Sequence, residues 1–171
     1  MKKLVIFSTL TGNTEKIADA IFSVIEGNKK LLNVKDSDKI NPDDYDKIIV
    51  GYWVDKGDAD EKMKAFMSKI RNKSVSAFGT LGAKSDSEHA KKCMTAVREF
   101  LESNGNKVER EFICQGAVSP QLIEKFRKMT KEGILTGHHA ATPETEKRWA
   151  EAAKHPDETD IENAKKIFAG L

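Results

Sequence analysis

Cysteine is scarce in this 171-residue chain: Cys93 and Cys114 are the only two, with no CxxC and no ligand cluster around them. That argues against a disulfide framework and leaves both thiols as small buried hydrophobes. Long apolar runs are also lacking, and nothing approaches the roughly 20 residues that a membrane helix needs. In the opening MKKLVIF the apolar part is only Leu4–Phe7. It is too short for a signal-peptide core, no cleavage-like site follows, and it reads as the first strand of a cytoplasmic protein. Net charge is only +2, and no basic run is interleaved with aromatics, so neither nucleic acid nor membrane is expected as a partner. Neither GxxxxGK[ST] nor GxGxxG follows any strand, which removes Walker-type and dinucleotide sites. There is no internal repeat and no low-complexity segment. What remains is 39% hydrophobic and 33% charged, a globular chain of single-domain length, expected to be a monomer.

Apolar runs and helical periods alternate over the first two thirds. Lys3–Ser8 is a continuous apolar run, as in a strand buried on both faces. Residues 13–26 place Ile17, Ile21, Val24 and Ile25 at helical spacing before the Gly27-Asn28 stop. Further strands are expected at Lys30–Val34, Lys47–Trp53, Ser74–Gly79 and Val108–Cys114, with DSDKINPDDYD as a loop or single turn. Helices are expected at Asp60–Ile70 and from the GAKSDSEHA segment to about Glu102. Another begins at Ser119-Pro120, serine capping and proline in the first turn. Strands separated by helices of this length give a parallel sheet in a three-layer, doubly wound α/β domain. The tail is less regular: residues 133–139 read as loop, Thr142-Pro143-Glu144 starts a helix that His155-Pro156 breaks, and Asp157 caps a last helix. That helix carries Ile161, Ala164, Ile167 and Phe168 on one side.

Such sheets bind ligands at the carboxyl ends of their strands, which selects three loops: Ser8–Thr14, Tyr52–Gly57 and Gly79–Asp86. The first, FSTLTGNTEKIA with its flanks, has the chemistry of a phosphate cradle. Helix-start amides are unpartnered and the dipole favours an anion. Thr9, Thr11, Thr14 and Asn13 add neutral donors, and Gly12 lets the backbone wrap closely. Many neutral donors replace a lysine. The competing reading is an ordinary turn with Thr11 or Asn13 as helix cap. In the second loop Trp53 offers a flat stacking surface, unless it packs under the next helix, and Asp55-Lys56-Gly57 makes a turn. In the third, the Gly79-Thr80-Leu81-Gly82 backbone can reach the edge of a planar heterocycle.

Thr9-Leu10-Thr11-Gly12-Asn13-Thr14 after an apolar strand resembles the TxTGNT phosphate signature of flavodoxins. The resemblance covers about residues 2–130. It implies a flavodoxin-like fold with five parallel strands ordered 2-1-3-4-5, bound FMN and one-electron transfer. It divides the chain into an FMN-binding domain, 1–130, and a C-terminal helical extension, 131–171, packed on the same domain. Carried over, Ser8, Thr9, Leu10, Thr11, Gly12, Asn13 and Thr14 hold the phosphate. Tyr52, Trp53, Val54, Asp55, Lys56 and Gly57 flank the ring, with Trp53 stacking. Gly79, Thr80, Leu81 and Gly82 face its pyrimidine edge, with Asp86 and His89 close by. No residue is expected to be catalytic or to bind metal, because the flavin does the chemistry.

Three departures from that family stand out. Many flavodoxins have a glycine after the ring-flanking position, where a peptide flips toward the reduced ring. Here Val54 stands there, and a β-branched residue resists positive φ, leaving Asp55-Lys56 or Lys56-Gly57 as the peptides that move. No third-loop aromatic occurs between Phe78 and Phe100; Lys84 and His89 stand nearby. The outer face of the ring is then open, or covered by the tail, where His138, His139 and Trp149 are the residues to watch. Finally, a pI near 8.4 differs from the acidic character of the family and implies another docking mode.

GYWVDKG and GTLGAKSDSEHA also resemble a flavodoxin-like group encoded beside bacterial bilirubin reductases. Three functions are weighed: an FMN electron carrier serving a partner reductase, a flavoenzyme reducing a quinone or other small molecule at an open ring face, and a non-redox binding module. The first is favoured.

Overall fold

Parity along the strands sorts this chain onto two faces of one sheet. The computed structural model describes residues 1–171. In chain order the elements begin β1 (Lys2–Phe7), α1 (Asn13–Val24), β2 (Asn28–Asn33), β3 (Lys47–Asp55), β4 (Asp58–Ala59) and α2 (Glu61–Met67). They continue β5 (Ser74–Leu81), α3 (Glu88–Ser103), β6 (Lys107–Gln115), α4 (Pro120–Lys131), α5 (Pro143–Ala152) and α6 (Glu158–Phe168). The sheet order is β2-β1-β3-β5-β6, all parallel, with the two-residue β4 antiparallel on β3. Without β4, the five parallel strands run 2-1-3-4-5, the order that the resemblance implies.

Side chains alternate across a strand. Leu4, Ile6, Ile48, Val50 and Tyr52 therefore pack on one face with Met63 and Phe66 of α2 and Val97 and Leu101 of α3. Val5, Phe7 and Ile49 pack on the other with Ile17 and Ile21 of α1 and Ala164 and Phe168 of α6. Burial on both faces is why these runs read as continuously apolar. β2 begins two residues earlier than its apolar run suggests, because as an edge strand it is only partly buried and its boundary signal is weak. DSDKINPDDYD folds into two 3-10 turns, where the Asn33 and Asn41 side chains accept from the amides of Lys35 and Asp43.

The tail is more ordered than its sequence suggests. Ser119 caps α4, Thr142 caps α5, and Asp157 with Asp160 forms a reciprocal capping box on α6. α6 lies against α1, where Phe168 meets Phe78 edge-on at 6.2 Å. Ile167, expected on the apolar side, is 36% exposed, while Ala164 and Phe168 are fully buried. α4 buries no residue; it is held by Phe126, whose ring stacks on Trp149 of α5 at 6.1 Å. Both cysteines are buried, which pushes each thiol above its ordinary pKa. No helix is long and apolar enough to cross a membrane.

Candidate cofactor site

β1 delivers Ser8 to the carboxyl edge of the sheet, and the chain then turns into α1 through Gly12 at φ +89°. This left-handed residue stands at the helix N-cap position with no side-chain cap, so neither Thr11 nor Asn13 caps the helix. The amides of Thr11, Asn13, Thr14 and Glu15 have no acceptor in the protein, and the first intrahelical bond runs from Lys16 N to Gly12 O. Gly12 N donates to Thr9 Oγ1 at 2.9 Å.

Other polar side chains of the loop tie it to the scaffold. Ser8 and Thr14 are buried. Ser8 Oγ donates to Asp60, whose carboxylate also accepts from Met63 N at 3.2 Å and so caps α2. Thr14 Oγ1 lies 2.9 Å from Thr80 Oγ1. Asn13 Nδ2 donates to Thr11 Oγ1 at 2.9 Å and to Ala117 O at 3.0 Å. The result is a rigid loop with outward unpartnered amides, a donor set that fits a phosphate dianion.

The second loop is a β-hairpin. Val54 pairs with Ala59 and Asp55 with Asp58, leaving Lys56 and Gly57 as its two central residues, at φ 50° and 85°. Positive φ at both positions is the type I′ turn that matches strand twist. Trp53 is half-buried. With Asp55 and residues Ser8, Thr9 and Leu10 of the first loop it lines a cleft of about 300 Å³, completed by Asn33–Lys35 and Asp60–Lys62. Tyr52, one residue earlier, has the opposite parity. It is 1% exposed, its ring lies where a Gly79 side chain would be, and burial pushes its phenol above the ordinary pKa. Val54 packs against the core beneath the hairpin.

The third loop leaves the end of β5. Thr80 and Leu81 are buried, the former on Thr14 and the latter against Ala90 and Ile113. Gly82 is exposed, and its carbonyl accepts from Gln115 Nε2 at 3.1 Å. Asp86 is exposed and shares a wholly polar cleft of about 380 Å³ with Lys84, Gln115, Glu151, His155 and Asp160. His89, in the first turn of α3, is exposed and reaches toward the hairpin tip at Gly57. Its Nε2 lies 3.7 Å from Cys93 Sγ. The topology thus gathers all three loops at one edge and sends Tyr52 inward. The sequence did not mark Asp60, Ala117, Gln115 or the His155–Asp160 pair, joined at 2.6 Å; only Asp60, a helix-start acid before Met63, carried a local cue.

In the tail, Trp149 is buried on Phe126 and does not face the loops. His138 and His139 are exposed on a 3-10 turn, Gly137–His139, with ring centroids 5.3 Å apart.

Comparisons with known proteins agree with this geometry. A family model described as a flavodoxin domain matches residues 4–169. The flavodoxin-like domain-containing protein BilS of Clostridioides difficile (strain CD3) is 33% identical over 166 residues, covering 96% of this chain and 92% of the relative. Oxidised flavodoxin 2 from Bacillus cereus superposes with a TM-score of 0.58 at 17% identity, covering 98% of this chain and 95% of that one. A flavoprotein from Lactobacillus acidophilus solved in complex with FMN gives 0.52 at 19% identity, covering 66% and 93%; at such identities the likeness is one of fold. The match along nearly the whole chain, on a fold whose first loop is an uncapped anion cradle, places this protein in the flavodoxin family.

Proposed function

We propose that this protein is an FMN-dependent electron-transfer flavoprotein that donates electrons to a partner reductase. The cofactor is FMN, the flavin of the family to which the chain belongs. Bound FMN supplies the electron-transfer chemistry, and the protein's own part is to hold and surround it. The observation that carries the reading is the uncapped start of α1: amides of Thr11, Asn13, Thr14 and Glu15 without acceptors, backed by hydroxyls already bonded to the scaffold. Neutral amides at a helix N-terminus stabilise a phosphate dianion. Trp53 and Asp55 border the same loop across the cleft, which supports the second loop as the flank of the ring, and Gly79–Gly82 lie beyond it.

In this reading residues 1–130 form the FMN-binding domain and 131–171 an extension packed on it, the protein working as a cytoplasmic monomer. The resemblance of GYWVDKG and GTLGAKSDSEHA to the group encoded beside bilirubin reductases supports a bilirubin reductase as that partner. A second reading has one observation in its favour. The polar cleft between the third loop and the α5–α6 junction offers room beside the candidate ring site, as a flavoenzyme acting directly on a small molecule would need.

A visible spectrum of the purified protein after addition of FMN tests the cofactor: flavin bands near 1:1 are expected, and a protein that takes up no FMN overturns the proposal. NAD(P)H oxidation then separates the two readings. A carrier requires an added reductase, whereas a stand-alone enzyme turns over with a quinone by itself.

A further inference from the structure

Asp60 carries more than a helix cap requires. Ser87, Ser119 and Thr142 cap α3, α4 and α5 with neutral hydroxyls, and Asp157, the acidic cap of α6, is half-buried. α2 instead begins on a carboxylate that is 3% exposed. No cation pairs with it, since the nearby Lys64 is taken by Asp58. Burying a carboxylate without a cation is costly, and capping alone does not call for it. The two oxygens do different work: Oδ1 accepts from Met63 N at 3.2 Å, and Oδ2 accepts from Ser8 Oγ. The Asp60 amide donates to Trp53 O at 3.1 Å, and its carbonyl accepts from Lys64 N at 2.9 Å. Every polar group of the residue is bonded.

The strand topology explains why these partners meet. β3 lies between β1 and β5. Its pairing with β1 runs to Phe7–Gly51, and Ser8 N donates to Gly51 O at 2.9 Å. There β1 turns away into the first loop, while β3 continues to Asp55 and stays paired with β5 as far as Trp53–Thr80. β4 takes over the edge that β1 vacates, opposite Val54 and Asp55. Trp53 O, two residues after Gly51 O, faces that same edge and is met by Asp60 N. Asp60 thus stands where β1 gives way to β4. Its side chain grips the residue that opens the first loop, and its backbone grips that of Trp53, across the cleft that all three residues line.

We infer that Asp60 is a positioning residue for the flavin: it holds the first loop and Trp53 at one separation, so that phosphate and ring are received in register. The inference rests on the FMN reading. A ligand with two anchors profits from both only where the geometry lets them engage together. Ser8 belongs to the same strut. Its hydroxyl proton goes to Asp60, so it has none to give a phosphate and serves the cofactor through the position of the loop.

The test compares FMN with riboflavin, which lacks the phosphate, by flavin-fluorescence titration of the full-length protein, each variant first shown folded by circular dichroism. A loss of folded protein weakens both flavins alike and leaves the ratio of their affinities unchanged. A loss of register removes the advantage of joining phosphate and ring in one ligand. Asp60→Ala is expected to cut the FMN-to-riboflavin affinity ratio about tenfold. Asp60→Asn keeps the shape and reverses the bond to Ser8, and should hold the ratio within about threefold of the wild type. Ser8→Ala leaves the α2 cap in place and should lower the ratio in the same direction. A wild-type ratio in Asp60→Ala, or in Ser8→Ala where Asp60→Ala does not fold, overturns the positioning role. A wild-type protein that binds neither flavin overturns the FMN reading and the cofactor part of the inference with it. The strut is then judged alone, from the indole Nε1–H signals of the flavin-free protein: that of Trp53 should shift in Ser8→Ala while that of Trp149 stays in place, and an unmoved Trp53 signal overturns the strut.

Discussion

Ser8, Asn13 and Thr14 turn their polar atoms inward, to Asp60, Ala117 and Thr80, and leave backbone amides facing out. His138, His139 and Arg148 do the reverse, presenting side chains outward from an arm whose first helix buries no residue. In the first loop the unpartnered groups are backbone, so their positions are set by the core and hardly depend on rotamers. In the α4–α5 arm the outward groups are long or rotatable side chains, on a segment held by Phe126 against Trp149 and His139, by the Arg127–Glu146 pair and by the Ala141 N to Thr130 Oγ1 bond. Backbone donors pinned by a core keep their positions, whereas side chains on a lightly buried arm can change theirs.

The sharpest way to break the contrast is to remove the stack. Trp149→Ala is expected to cost about 3–5 kcal/mol of local stability. Amide exchange should quicken across residues 120–152 while protection in β1 and β3 is retained; uniform loss of protection would show that the arm and sheet melt as one. Asp60→Ala attacks the other side. It removes the cap of α2 and strands the buried Ser8 hydroxyl, for about 2–4 kcal/mol in urea unfolding. Gly12→Ala places a Cβ at φ +89°, where nothing crowds it sterically, so only the backbone is strained. The expected cost is about 1–2 kcal/mol, with FMN affinity weakened about tenfold in a fluorescence titration.

Smaller changes sharpen the comparison. Lys56 holds φ 50° in the type I′ turn, and asparagine tolerates that conformation better, so Lys56→Asn should stabilise the protein by about 0.5–1 kcal/mol in thermal melts. At His138 the folded pKa is lowered, chiefly by Arg148. The neutral ring's contribution to stability is therefore present above the ordinary histidine pKa and lost as pH falls through the lowered one. Arg148→Gln should move the NMR midpoint of His138 upward and shrink that acid-side loss.

The first loop was legible because its determinants are local: an apolar run, a crowd of hydroxyls, and a glycine where the chain must turn left-handed. The order of the five parallel strands came with the family signature. β4 was not legible, since two residues carry no period. Tyr52 was grouped with Trp53 by adjacency, although strand parity sends neighbours to opposite faces. In the tail the caps at Ser119, Thr142 and Asp157 marked the helix starts. What each helix covers depends on contacts far along the chain. Phe168 finds Phe78 in the core, while α4 finds only α5 and the turn that precedes it. Gln115, His155 and Asp160 lie far from Asp86 in sequence and share its cleft only because the sheet order brings the end of β6 beside the third loop.

Residue 117 has a further consequence. Its carbonyl accepts from Asn13 at the first loop, and its amide donates to His155 O at the α5–α6 junction. A single peptide neighbourhood is thus shared by the anchor and the tail. Any coupling carried through residue 117 between the first loop and the α5–α6 junction therefore has the same size read from either end.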